Sequence, residues 1–228
     1  MYYARAIDCT ILPALNTSAT QQAAPTENTL HICHRLLNYA ATYPSVHLHY
    51  YANNMTLHIH SDAAYLVAPK VRSRITWYFS LVSPSSSSPI PAGPILIECK
   101  ILRNVVASSA EAKVAGVLHN AQVAIPICHI LQLLGHPQPP TPIKTDHNTT
   151  VLSFSEKNIT PKCSKSWDMC YYWLRDKQEM KQFKLSWERA LQNLADYFTK
   201  HFSAMHHKHI RFKYVFDDTD VLRPARVC

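Results

Sequence analysis

At 228 residues, 47% of them hydrophobic, the chain is long enough for one good core with a small appendage. A formal net charge of +8 fits a polyanionic partner such as nucleic acid, and 14 of the 23 Lys and Arg lie beyond residue 150. The three glycines, at 93, 116 and 135, exclude a phosphate-binding P-loop and a dinucleotide fingerprint, both of which need glycine-rich loops. No run of 18 apolar residues marks a membrane span, and the N-terminus lacks the charged-then-apolar order of a signal peptide. Seven cysteines, odd in number and without a CxxC pair, read as reduced thiols of an intracellular protein, cytoplasmic or nuclear.

Residues 1–25 show no periodicity. Pro25-Thr26-Glu27 opens a helix on which Leu30, Cys33, Leu37, Ala40 and Ala41 recur at helical spacing, and Tyr43-Pro44 stops it. The stretch from Leu48 to Ala63 contains a strand with Leu57, Ile59 and Ser61 on one face and Thr56, His58, His60 and Asp62 on the other. Residues 74–82 read as a second strand, the Ser/Pro stretch 83–94 as a loop, and 94–99 as a third strand. Three sequential strands with short links predict an antiparallel meander.

A long helix is expected from Ser108, where Ser108-Ser109-Ala110-Glu111 has the form of a capping box. Its apolar stripe would run through Val114, Leu118, Ala121, Ile125, Cys128 and Leu131, with a kink at Pro126 and an end at Gly135 and Pro137. Residues 142–146 form a short strand. Ser166 caps a further helix through Trp173 and Leu174, and the alternation of Phe183, Leu185 and Trp187 gives a fifth strand. A last helix over 192–202 places Leu194, Phe198 and Phe202 on one face and Asp196 away from it. The His- and Lys-rich stretch after Ser203 reads as a loosely held tail. The order βββ-α-β-α-β-α indicates a mixed sheet covered by helices.

Six acids occur in the first 150 residues, and Asp62, Glu111 and Asp146 are three of them, each in a different setting. Asp62 lies on a strand, Glu111 at a helix start and Asp146 at a strand end; Asp196 follows much later. Acids converging from separate elements suit a pair of divalent ions acting on a phosphodiester bond. Two of them have a second explanation in local structure. A capping-box Glu is sufficient reason for Glu111, and Lys200 at i+4 is a surface partner for Asp196. A rival lies on the same strand: His58-Ile59-His60-Ser61-Asp62 puts two histidines and an acid on one face, the spacing of a zinc hydrolase.

The blocks His60-Ser61-Asp62-Ala63-Ala64-Tyr65, Ala107-Ser108-Ser109-Ala110-Glu111-Ala112, Lys144-Thr145-Asp146 and Ala195-Asp196-Tyr197-Phe198-Thr199-Lys200 resemble, in this order, those of the ribonuclease H domain of copia-type LTR retrotransposon polyproteins. The stretch Lys165–Asp176 resembles the block between that family's third and fourth acids, and the first fifty residues resemble its polymerase–nuclease connection. The resemblance implies an α/β, ribonuclease H-like mixed five-stranded sheet at 53–204. An N-terminal helical appendage at 1–52 would be a remnant of the reverse-transcriptase connection, and a basic tail would follow at 205–228. It implies cleavage of the RNA strand of RNA–DNA hybrids by two Mg²⁺ (Mn²⁺ also serving), held by Asp62, Glu111, Asp146 and Asp196. The upstream polymerase part of the polyprotein would be a partner, since no Tyr-x-Asp-Asp motif is present here and the chain looks like a C-terminal piece.

The chain departs from the pattern twice. Lys113 stands where the family carries another acid, and His147 follows Asp146 where Asn is usual. Lys113 lies about 200° round the helix from Glu111, so it need not point into the site. These departures motivate an alternative: an inactive relic, or a domesticated module that binds nucleic acid without cutting it.

Overall fold

The computed structural model describes residues 2–83, 92–148, 151 and 165–217. The chain divides into a larger unit, residues 52–87 and 94–200, and a smaller one, residues 1–51, 88–93 and 201–228. The loop expected over 83–94 falls mostly outside the described residues.

In the larger unit β1 (Thr56–Ala68), β2 (Arg72–Val82) and β3 (Pro94–Ile101) form the antiparallel meander. Strands β4 (Thr141–Thr145) and β5 (Phe183–Trp187) join in parallel on the other side of β1, giving the order β3-β2-β1-β4-β5. Helix α1 (Ser109–Leu133) carries the chain from β3 to β4, as a parallel connection requires, and α2 (Lys165–Glu179) precedes β5. This is the mixed five-stranded α/β sheet, three antiparallel strands and then two parallel ones, that the resemblance implies. Strand β1 is central, so residues of both its faces are buried: Leu57 and Ile59 on one, His60 and Asp62 on the other.

Helix α1 starts where the sequence places it, with the Ser108 hydroxyl accepting the Glu111 amide at 3.1 Å. It runs on through Pro126. It ends at Gly135, whose φ of +88° supports amide bonds from His136 to the Leu131 carbonyl and from Gly135 to that of Gln132. By length, and with a mean hydropathy of 1.5 over 18 residues, α1 could cross a membrane. Here Ala112, Val117, Ala121, Ala124 and Leu131 form one core with Ile59, Ile75, Trp77, Phe79 and Ile143 of the sheet. Of the expected stripe, Ala121 and Leu131 are in this core and Val114, Leu118 and Cys128 pack against it, while Ile125 is 38% exposed and Ala112, Val117 and Ala124 widen the buried face. The alanines that let helix and sheet approach closely do not stand out in a search for large apolar residues.

The helix expected over 192–202 does not form; one 3-10 turn, Asp196–Phe198, is present instead. Its neighbours' backbone groups are satisfied across the sheet. Asn193 Nδ2 donates to the Ser61 carbonyl at 3.0 Å while its Oδ1 accepts the Ala195 amide at 3.0 Å. Thr76 Oγ1 donates to the Ala195 carbonyl at 2.9 Å. These long-range bonds displace the helical ladder that Leu194, Phe198 and Phe202 predict. The cap expected at Ser166 involves a side chain outside the description.

In the smaller unit, residues 1–25 are more ordered than their lack of periodicity suggests, with helices Tyr2–Ala6 and Leu12–Thr20. Helix Glu27–Thr42 forms as expected, with reciprocal Thr26 and Thr29 caps, but Leu30 and Leu37 of its apolar stripe are exposed. The stretch after Ser203 is not loose in the described part: Ala204–Ile210 is a helix, and strand Phe216–Asp217 pairs antiparallel with Val46–His47. His207 Nε2 lies 3.1 Å and Arg211 Nε 2.7 Å from the Tyr39 hydroxyl, which ties that helix to Glu27–Thr42.

Candidate metal centre

Parallel register brings the first two acids together. Strands β1 and β4 pair Ile59 with Ile143, so three residues further along each strand Asp62 and Asp146 stand side by side. Asp146 lies just past the end of β4, and the Trp187 indole of β5 donates to its carbonyl at 3.1 Å. The turn after β5 delivers Asp196. One carboxylate oxygen each of Asp62, Asp146 and Asp196 lies within 4.8 Å of the others. Three of the four acids singled out in the sequence therefore converge, from segments far apart in the chain.

Glu111 does something else. Its Oε2 accepts the Ala107 amide at 2.8 Å, closing the helix start together with Ser108. The α1 residue that reaches the acids is Lys113, whose Nζ donates to Asp62 Oδ1 at 2.9 Å and to Asp146 Oδ1. The expectation that Lys113 need not face the site is corrected here. With the helix rotated so that Glu111 folds back on its own N-terminus, the position two residues on is the one that points at the sheet. Thr199 Oγ1 donates to the second Asp62 oxygen at 2.9 Å, and Lys200 Nζ to Asp196 Oδ1 at 2.8 Å.

Burial pushes the Asp62 carboxyl above the usual carboxylate range; Lys113 opposes this and Asp146 and Asp196 reinforce it. Burial also disfavours the Lys113 ammonium, but Asp62 and Asp146 outweigh it and hold the lysine above its ordinary value. The lysine is thus charged, and two carboxylates share it. His147 is held below the usual histidine value, first by burial and then by Lys113.

The zinc arrangement is not assembled. His60 Nδ1 lies 3.0 Å from Glu188 Oε2 and 3.3 Å from the Leu194 amide, while Glu188 also takes Lys144 Nζ at 2.7 Å. Among the described residues, the one group of three with metal-ligating atoms converging contains neither His58 nor His60.

Sequence reasoning undervalued Lys113 and Thr199, whereas Lys200 pairs with Asp196 at i+4 as its spacing suggests. The only signal for Lys113 was its departure from the family pattern. Thr199 and Lys200 sit in the block around Asp196, where nothing local marks a hydroxyl that bonds to an acid 137 residues earlier. Chemically the set offers hard oxygen ligands of the kind that Mg²⁺ and Mn²⁺ take, with one ammonium already among them.

No family model matches the chain, and no curated protein matches its sequence. Among solved structures, an N-terminal ribonuclease H domain from Mycobacterium tuberculosis is similar at a TM-score of 0.42 and 12% identity, over 64% of this chain and 91% of that one. Ribonuclease H1 from Halobacterium salinarum gives 0.41 and 12%, over 63% and 96%. A foamy viral protease–reverse transcriptase in complex with double-stranded DNA gives 0.41 and 12%, over 63% and 90%. At these scores the likeness adds nothing to strand order and register, which define the fold by themselves.

Proposed function

We propose that this chain is a ribonuclease H-type domain that cleaves the RNA strand of RNA–DNA hybrids with a divalent cation, Mg²⁺ or Mn²⁺. The convergence of Asp62, Asp146 and Asp196 within 4.8 Å carries this reading. A cation held by these three acids would supply positive charge at the scissile phosphate. Thr199 and Lys113 fix the orientation of Asp62, and Lys200 offsets the charge of Asp196. Lys and Arg of the C-terminal third would hold the phosphate backbone without reading sequence, and 2′-hydroxyl contacts would select RNA. The expected fourth ligand, Glu111, has its Oε2 on the Ala107 amide and is not among the acids whose ligand atoms converge. The ordered blocks around the acids support a copia-type polyprotein origin, an upstream polymerase partner and an intracellular setting.

A second reading is favoured by one observation, the Lys113 ammonium between Asp62 and Asp146. In that reading the domain binds hybrids without cutting them.

The test is cleavage of an end-labelled RNA–DNA hybrid by the full chain in Mg²⁺, with binding followed by fluorescence anisotropy. The nuclease reading expects cutting that EDTA stops and that Asp62→Asn or Asp146→Asn lowers on the order of 100-fold, with binding kept. Tight binding with no cutting by the wild-type chain in either Mg²⁺ or Mn²⁺ overturns it and leaves the second reading.

A further inference from the structure

We infer that Lys113 fills one cation position of the acidic centre, so that the domain holds a single divalent ion where two were expected. The inference deepens the proposed function and rests on its metal site.

The carboxylates that a bridging ion would share are Asp62 and Asp146, side by side at the ends of neighbouring parallel strands. The Lys113 ammonium bonds to Oδ1 of both, and its side chain is only 12% exposed. Both oxygens of Asp62, the most buried of the acids, already accept a hydrogen bond, Oδ1 from Lys113 and Oδ2 from the Thr199 hydroxyl at 2.9 Å, which leaves one lone pair on each. An ion bridging Asp62 and Asp146 would have to evict the lysine from a pocket that supplies its counter-charges.

Ligand atoms for one ion remain. Oδ1 of Asp196 takes the half-exposed Lys200, and no hydrogen bond to the second oxygens of Asp146 and Asp196 occurs among the described residues. Charge counting agrees. Three carboxylates and two ammoniums leave a formal charge of −1, which one divalent ion turns to +1 and two would turn to +3. Repulsion of that size within a few ångströms, in a partly dehydrated site, is a strong bar to a second ion.

The position also identifies the substitution that should restore the pair. Residue 113, not residue 111, is where α1 meets the acids, so Lys113→Glu places a fourth carboxylate among them. Lys113→Gln removes the charge without adding a ligand.

The experiment is a titration of the full chain with Mn²⁺, read by isothermal calorimetry and by the loss of the free-ion electron paramagnetic resonance signal. Circular dichroism verifies the fold of each variant. The wild type is expected to bind one Mn²⁺ per chain, Lys113→Gln to bind at least tenfold more tightly, and Lys113→Glu to bind two. Two ions on the wild type, none on the wild type, or wild-type stoichiometry and affinity in both variants would overturn the inference. Hybrid cleavage measured on the same samples separates this outcome from the parent reading. A wild-type chain that binds one ion and leaves the hybrid intact retires the nuclease and keeps the Lys113 assignment. One that cuts while holding two ions does the reverse.

Discussion

At the scale of single residues, Glu111 and Lys113 exchange the roles their sequence context assigns. A Glu three residues after a Ser is a good cap and a good metal ligand by type alone, and only the rotation of α1 about its axis separates the two. Two substitutions check the capping role. Ser108→Ala removes the acceptor of the Glu111 amide and should cost about 1 kcal/mol in urea denaturation, with ion binding unchanged. Glu111→Gln keeps an oxygen for the Ala107 amide and should leave Mn²⁺ affinity within about twofold of wild type. A tenfold loss of affinity in Glu111→Gln, equivalent to about 1.4 kcal/mol, would return Glu111 to the metal set.

At the scale of elements, the fit of α1 on the sheet sets the geometry of the centre. Gly116 lies in the second turn of this helix, and a Cβ added there would meet Ser61 Oγ at 3.5 Å and the Asp62 carbonyl and Ile75 Cγ2 at 3.6 Å. Those are ordinary contact distances, so alanine fits without moving the strand. Gly116→Ala should raise stability by about 1 kcal/mol through helix propensity and the reduced entropy of the unfolded chain. A fall in the thermal midpoint would mean that the helix–sheet spacing is tighter than described. The turn bearing Asp196 shows the opposite balance. There, apolar spacing predicts a helix, but the Ala195 amide and carbonyl take the Asn193 and Thr76 side chains instead, and Asn193 is itself anchored to the Ser61 carbonyl across the sheet.

At the scale of the whole molecule, burial of ionisable groups on the central strand couples stability to pH. His58 is held at about 4, well below its ordinary 6.5, mainly by burial, with the charges of Lys144 and His60 adding to it and Glu188 opposing. Its folded-state value is depressed, so the unfolded chain binds the extra proton first. The stability that the neutral ring contributes is present above about pH 6.5 and is lost as the pH falls toward 4. Thermal midpoints measured from pH 7 to pH 4.5 should fall more steeply for the wild type than for His58→Gln. Parallel curves would remove His58 from the acid response.

The meander followed by helix–strand alternation was legible in the chain because strand and helix periodicities are local properties. So were the start and end of α1, which rest on Ser108 and Gly135. Asp62 and Asp146 were legible as acids on a strand and at a strand end, and they are two of the three whose ligand atoms converge. Not legible were the helices of the first 25 residues, the 3-10 turn in place of the last helix, and the lysine among the acids. Each of these is decided by partners distant in the chain: 51 residues separate Lys113 from Asp62, and 137 separate Thr199 from it. Local periodicity and capping residues were enough for the five strands, for helix α1 and for the list of acids available to meet. That position 113 rather than 111 meets them follows from strand register and helix rotation, which are settled by packing across the whole core.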